Sequence, residues 1–448
     1  MIFIYLLSFT CLLFGVIVIF REIYQINRMR KICIINVFGI TYGIIYGFFT
    51  AVYLLCYCLF DYKFSRIKYD YISLGSLGIW ITFAIIGYIG ISIVYSFSME
   101  KKACFSEMNN EIFQDQSQLL RLQITSIGCL AIGFVSLFLW SYAFGGIFEL
   151  LKVANAVRSG HYSGFNKLAF FKHPARIVTM VSFISLKLIK KKYKVFLNVL
   201  IFAVSFLLSM LYLFASDGRL TLGLYILILL FMATDIFKKE LKLSKKIFGI
   251  SFFLIIAVII MMNMDNLSYY FKNGVWGKSD SSSNGFIVAL FNEFTFISAS
   301  GQMATVQLLK GETPYLLLND IFSGLFAWIP SSMKPDNLIN IWDYNTSLYN
   351  NGATVIGQMP CDYITTSIYD LGILGIFVFS IFWGIVIKKV DFKHTHKNTV
   401  FFDVAYYPLS MVFFRLVAYC QIYDFALEMF YIFIAFVVWN LSVIFIKK

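Results

Sequence analysis

Arginines set among apolar residues carry the strongest chemical signal in this sequence. Arg219 sits at the tip of the four-residue turn Ser216-Asp217-Gly218-Arg219, between two apolar runs. A guanidinium near hydrocarbon must pair, reach the interface or line a wet cavity. Its planar fork also fits a phosphate bidentately, which lysine cannot do. Asp217, two residues away, is a local partner or a proton acceptor. Arg158 ends the amphipathic segment ELLKVANAVR, which opens at Glu149, and it precedes Gly160-His161. Arg415, in FFRLVAY, lies late in an apolar run with no adjacent acid, so its partner must come from elsewhere. Arg176 follows His173-Pro174-Ala175 at a helix start and reads as interfacial.

The second constellation is a polar stretch of about a hundred residues, 263–363, between long apolar runs. Such a loop on a rigid frame is a natural seat of function. It holds Asp265, Asp280, Glu293, Glu312, Asp320, Asp336, Asp343 and Asp362 against four lysines, with no arginine and no histidine. Around Trp342-Asp343-Tyr344-Asn345 it is rich in aromatic, amide and carboxylate groups. Aromatic faces stack on the C–H faces of sugars, and amides and carboxylates pair with hydroxyls. Trp342 and Asp343 are therefore candidate sugar contacts, although interfacial aromatic belts have a similar composition.

The frame is a membrane. The chain of 448 residues is 60% hydrophobic and 14% charged, well under the ~25% charged of soluble domains. Apolar runs near the length that crosses a bilayer recur throughout. The sequence predicts an all-α, polytopic helical membrane protein of eleven spans, or thirteen if two apolar segments of the loop, 285–309 and 315–329, cross as well. Those two segments read as interfacial or re-entrant helices. The predicted spans are 2–20, 32–59, 72–97, 122–148, 177–189, 195–215, 220–237, 247–262, 364–387, 400–417 and 425–446. The whole chain reads as one membrane domain containing the loop. The net charge of +13 does not indicate nucleic acid. Of the 37 Lys and Arg residues, 23 fall on one side of this alternation, as the positive-inside rule requires. That places the N-terminus outside, the C-terminus inside and the large loop outside.

Several chemistries lack their signature. No G-x-x-x-x-G-K-[ST] or G-x-S-x-G is present, no His/Asp cluster has metal spacing, and His394-x-His396 falls in a basic loop. No cofactor or metal is expected. The eight cysteines are scattered, and only Cys361 and Cys420 fall on the outer side.

Four segments resemble the bacterial O-antigen or oligosaccharide repeat-unit polymerases, the Wzy type. ASDGRLTLGLYILILL resembles that family's Ser-x-x-Arg turn and following apolar helix. ELLKVANAVRSG resembles its outer segment ending in Arg and Gly. WIPSSMKP resembles its I-P-x-x-x-K-P element. NNGATVIGQMPCDYITTSIYDLGILGIFVF resembles the glycine-rich end of its large loop, leading into Asp370-Leu371-Gly372-Ile373-Leu374-Gly375. The resemblance covers about 147–430; the earlier spans match only in hydropathy.

The resemblance implies a metal-independent glycosyltransferase of the cytoplasmic (inner) membrane. It would join polyprenyl-pyrophosphate-linked oligosaccharides into O-antigen or a similar lipopolysaccharide-type surface chain on the outer face. Undecaprenyl pyrophosphate is the type of leaving group, and a flippase and a chain-length regulator are the implied partners besides membrane lipid. Arg158, Arg219 and Arg415 would offset pyrophosphate charge, and Asp217, Glu149 or His161 would take the acceptor proton. A lipid-linked-oligosaccharide flippase or transporter would show short loops throughout and charge in mid-span. A membrane acyltransferase acting on glycans would need a histidine-bearing site, and no span is predicted to hold one.

The alternation of basic loops predicts that reporter fusions at Ser282 and Asn345 read outside, and fusions at Lys192, Lys242 and Lys393 inside. A cytoplasmic signal at Asn345 would invert the layout.

Overall fold

In hydrocarbon every backbone polar group must be paired within the segment, so long apolar runs become helices. The computed structural model describes residues 2–29, 32–60, 74–96, 116–158, 167–217, 219–234, 266, 269–275, 286–329, 333, 335, 338, 340–349, 359–396 and 399–444, and these contain helices and turns but no strand. The early helices are α1 (Ile2–Met29), α2 (Ile34–Tyr42), α3 (Thr50–Phe60), α4 (Leu74–Ser96) and α5 (Gln116–Tyr142). Short α6 (Ile147–Lys152), α7 (Ala154–Arg158) and α8 (Lys172–Ala175) lead into α9 (Ile177–Lys190), α10 (Val195–Ser216) and α11 (Arg219–Thr234). The later elements are α12 (Phe286–Lys310), α13 (Leu317–Leu325), α14 (Ile341–Tyr349), α15 (Tyr363–Leu371), α16 (Ile373–His396), α17 (Val400–Ala418) and α18 (Ile422–Leu441).

Eight helical stretches among the described residues are long and apolar enough to cross a membrane. The predicted fifth and seventh spans are shorter helices, α9 with 14 residues and α11 with 16; at 1.5 Å per residue they measure about 21 and 24 Å. The predicted eighth span, 247–262, lies outside the described residues. Three helices run past the charged residue that bounds the predicted span, α1 to Met29 rather than 20, α5 from Gln116 rather than 122 and α16 to His396 rather than 387, and two further boundaries are moved by glycine. The fourth span ends at Tyr142 rather than 148, because Gly145 and Gly146 take φ of +89° and +121°. The ninth starts at Ile373 rather than 364, because Gly372, at φ +62° and ψ −144°, separates α15 from α16. Gly375 is held as tightly: a Cβ there would overlap the Ser367 carbonyl oxygen. The run DLGILG therefore makes a break between two helices.

The chain divides into two compact units. The first comprises Met1–Cys104, Ile287–Thr395 and Val412–Ala426. Within it α1 crosses the α2–α3 segment at glycines. A Cβ on Gly15 would lie 2.8 Å from the Gly43 carbonyl oxygen, and one on Gly47 would overlap Gly15. Gly43 and Gly47 form a G-x-x-x-G face on the π-helical turn Gly43–Phe49. Asp391 of α16 closes the start of α2, accepting the Ile34 and Ile35 amides at 2.9 and 3.2 Å.

From Ile287 onward, the described residues of the polar stretch belong to this unit and are folded into it. From Phe294 to Thr305, α12 is buried at every position but Phe296, which is half-buried. A Cβ on Gly301 would overlap the Trp80 indole of α4. Asn345 of α14 donates to Ser300 Oγ of α12 at 2.9 Å and accepts from Tyr369 Oη of α15 at 3.0 Å.

The second unit comprises Phe105–Phe286, His396–Met411 and Leu427–Lys448. Its centre is α9, buried from Ile177 through Leu186. Ser182 of α9 donates to Ser205 of α10 at 3.0 Å, and Phe183 stacks on Tyr407.

Replacing Gly375 by alanine should lower the thermal midpoint of the detergent-extracted protein, at an overpacking cost of about 1–3 kcal/mol. Gly78→Ala, whose added methyl meets only Phe3 at 3.9 Å, should be neutral or better. Equal behaviour of the two variants would refute the close approach at Gly375.

Candidate functional site

The turn between α17 and α18 is the point on which several elements of the first unit converge. Its backbone is shared out. The Cys420 amide donates to the Cys361 carbonyl at 2.7 Å, the Cys420 carbonyl accepts from Thr366 Oγ1 of α15 at 2.5 Å, and the Ile422 amide donates to Asp320 Oδ2 of α13 at 3.2 Å. Both thiols, Cys361 and Cys420, are free and buried.

Arg415, one turn before the end of α17, finds its acid across this turn. Its Nη2 lies 3.0 Å from Asp424 Oδ2, with side chains 15% and 19% exposed, and its guanidinium lies 5.8 Å from the Tyr419 ring centre. Trp342 of α14 meets the same Tyr419 ring edge-on at 6.3 Å, and its buried indole N–H has no hydrogen-bond partner among the described residues. Asp343 is exposed, and its charge, together with that of Asp424, acts on Tyr423. The structure thus brings Trp342 and Arg415 to one ring, that of Tyr419.

Beneath the turn lies a pair of carboxyl groups that the sequence reading did not single out as a site. Asp320 and Asp370 are fully buried. Asp320 Oδ1 and both oxygens of Asp370 have no hydrogen-bond partner among the described residues. The backbone holds their helices together, with the Leu316 amide just before α13 donating to the Tyr369 carbonyl at 2.9 Å. Burial raises both pKa values, and Asp370 is raised further by the charge of Asp320. Two such groups cannot both ionise cheaply, which favours the protonated form of at least one of them. The available signal was an acid inside an apolar helical stretch, LLLNDIFSG and TSIYDLGIL, which marks a site by default.

The second unit holds a different ionic centre. Arg176, at the start of α9, contacts Asp217 at 2.6 Å and Glu428 of α18, all three nearly buried. The Tyr431 ring lies 5.4 Å from the guanidinium, and Ser216 Oγ donates to Asp217 Oδ1 at 2.7 Å. Arg176, read as interfacial from sequence, is a buried hub, and Asp217 pairs with it. Glu428, an acid within ALEMFYIF, is the signal that would have found this centre.

The remaining candidates are placed as follows. Glu149 lies exposed on α6 and pairs with Lys152 at 2.6 Å. Arg158 ends α7 and Arg219 opens α11, but their side chains lie outside the described residues, as does His161 altogether. No group of three or more His, Cys, Asp or Glu side chains among the described residues has the arrangement of a metal site.

Comparisons of the chain with family models, with curated proteins and with solved structures return no match.

The carboxyl pair makes a signed prediction. A carboxyl whose folded pKa is raised binds more protons folded than unfolded, so its contribution to stability is complete below its unfolded pKa and is lost as pH rises through the folded one. Stability should fall as pH climbs from about 4, the unperturbed aspartate value. Asp370→Asn should flatten that fall, read as thermal midpoint against pH. An unchanged slope in the variant would show that the pair does not titrate this way.

Proposed function

We propose that this protein is a membrane glycosyltransferase that polymerises oligosaccharide repeat units carried on polyprenyl pyrophosphate, acting at the outer face of the cytoplasmic membrane. One observation supports the reading above the others. Trp342, next to Asp343 in the polar stretch, and a span-end guanidinium, Arg415, both approach the Tyr419 ring. A substrate with a sugar part and a phosphate part asks for that combination.

The residues take complementary parts in this scheme. Trp342 offers an aromatic face, and Asp343 accepts from sugar hydroxyls. Arg415 offsets the charge that gathers on the pyrophosphate as the glycosidic bond to it breaks. Its existing bond to Asp424 keeps the guanidinium oriented while leaving it partly exposed. Arg158 and Arg219 remain proposed phosphate contacts on the resemblance alone. Asp217 has a distinct part in this reading: its ion pair holds Arg176, which is a structural duty rather than a proton-accepting one.

Deletion of the gene, followed by gel analysis of surface polysaccharide, tests the class. Loss of a polymerase leaves a single repeat unit on the lipid anchor, whereas loss of a flippase leaves none. A full-length ladder in the deletion strain would exclude both, and an acylation change alone would point to an acyltransferase.

Within that assay, Arg415→Ala should abolish extension at normal protein level, and Arg415→Lys should restore part of it, because the charge returns without the fork. A charge-assisted contact is worth about 1.5–3 kcal/mol, so the residual rate should fall roughly tenfold to hundredfold. Trp342→Ala should shorten the ladder more than it lowers the protein level. Full activity of Arg415→Lys would reduce the residue to its pair with Asp424.

A further inference from the structure

The first unit carries a second polar feature, far along the chain from the turn and independent of the enzymatic reading. Helices α1 and α4 run in the same direction. Near their starts Phe3 lies against Gly78, and near their ends Arg21 reaches Tyr88 and Ser92. Between those later portions lies an open groove of about 600 Å³, lined by Arg21, Tyr88, Ile89, Ser92, Ile93 and Ser96.

Its floor is built. Glu22 is wholly buried and accepts Tyr88 Oη at 2.5 Å and Asn36 Nδ2 at 2.8 Å. Arg21 spends only Nη1 on this network, giving it to Glu22 at 3.2 Å and to Tyr88 and Ser92 at 2.7 Å each. Its Nε and Nη2 have no hydrogen bond among the described residues, and its side chain is 30% exposed. The buried carboxylate thus anchors one edge of the guanidinium and leaves the other edge for a ligand. The Ser92 hydroxyl accepts from Arg21 and keeps its own proton to donate. Along the wall, Ile89 and Ile93 are each 49% exposed, one turn apart on α4.

We propose that this groove binds the headgroup of an anionic phospholipid. The phosphodiester would take the free edge of Arg21 and the Ser92 hydroxyl, and an acyl chain would lie along Ile89 and Ile93. The depth is right for a headgroup. Ser96 is the last residue of α4, and Arg21 lies eight residues before the end of α1, so the groove opens near the ends of two spans, where long cationic side chains meet lipid phosphate. A neutral detergent or an apolar chain would not use the two unspent guanidinium donors, and a zwitterionic headgroup, though it carries the same phosphodiester, would bring a cationic ammonium beside the guanidinium.

The test is native mass spectrometry of the full-length protein, delipidated in neutral detergent and titrated with phosphatidylglycerol, with phosphatidylcholine, and with inorganic phosphate. The wild type should retain phosphatidylglycerol in preference to phosphatidylcholine. Arg21→Gln removes the fork, and Ser96→Asp places a negative charge at the exposed mouth without touching the Glu22 network. Each should weaken phosphatidylglycerol retention roughly tenfold or more, the equivalent of one charge-assisted contact. Should Arg21→Gln fail to fold, Ser96→Asp carries the result. Equal retention of the two lipids, unchanged retention in a folded variant, or displacement of phosphatidylglycerol by millimolar inorganic phosphate as effectively as by the lipid itself would overturn the assignment.

Discussion

The carboxylate of Asp362 is the interaction on which the first unit depends. It caps α15 through the Thr365 amide at 3.2 Å and also accepts the Thr365 hydroxyl. It reaches Tyr46 of the π-helical turn at 2.5 Å and Trp80 of α4 at 3.1 Å. Burial pushes its pKa up, and these donors pull it back. A buried carboxylate without them would be costly, so one side chain fixes the place where the polar stretch returns to the apolar helices. Trp80 is committed on two sides, since its indole donates to Asp362 while its ring fills the space that Gly301 leaves open. Through these contacts α12, α15 and the α2–α3 segment are set relative to α4. The position of α15 in turn sets Thr366 and Asp370 beneath the α17–α18 turn.

The same logic, a charge admitted to an apolar interior with its partners in place, recurs at Glu22, Asp391 and Arg176. Glu22 is met by a tyrosine, an asparagine and an arginine. Asp391 is met by two helix N–H groups and by Tyr95. Arg176 is met by two acids. Removing one member of such a buried set costs about 3–5 kcal/mol, because the other is left uncompensated. These centres are therefore conformational locks before they are anything else. Arg176 with Asp217 illustrates the consequence for function, since an acid locked to a buried guanidinium is a weak proton acceptor. Arg415 with Asp424 differs in exposure, with side chains 15% and 19% exposed.

The membrane class was legible in composition, because no other environment tolerates runs of this length and apolarity. Helix boundaries were legible to within a residue or two at Lys190 and Ser216, but at Arg21 and Lys388 the helix runs on past the charge that ends the apolar run, to Met29 and His396. They were misplaced where glycine broke a run that remained apolar, at Gly145-Gly146 and at Gly372, since hydropathy is blind to φ. The two helices of the polar stretch were legible, read at 285–309 and 315–329 and found at Phe286–Lys310 and Leu317–Leu325. The burial of the first was not. In α12 the buried positions are Thr295, Ser298, Ser300, Gln302 and Thr305 as often as apolar ones. Such polar residues pack closely between helices yet read by composition as a face turned to water or headgroups. Trp342, Asp343 and Arg415 were recognisable one by one from their chemistry. That Trp342 and Arg415 share the Tyr419 ring was not, because Trp342 and Tyr419 lie about 75 positions apart.

The run from Asp370 to Gly375 shows what a short motif can and cannot carry. Gly372 is required by a positive φ, and Gly375 by the Ser367 carbonyl pressed against it. Any two helices joined by this break would need both glycines, so their presence speaks for a backbone geometry and is silent on chemistry. Asp370 is different. The break does not require it, since Gly372 already ends α15 through its own amide bond to the Ile368 carbonyl at 2.8 Å. Burying a carboxyl group with neither oxygen paired among the described residues costs stability that an asparagine or leucine would not. A side chain that the fold does not need, and that the fold is destabilised by keeping, is the member of the motif that points to function. Its neighbour Asp320, tied by one oxygen to the turn that carries Arg415 toward Asp424, connects that cost to the same turn, whose Tyr419 ring Trp342 and Arg415 both approach.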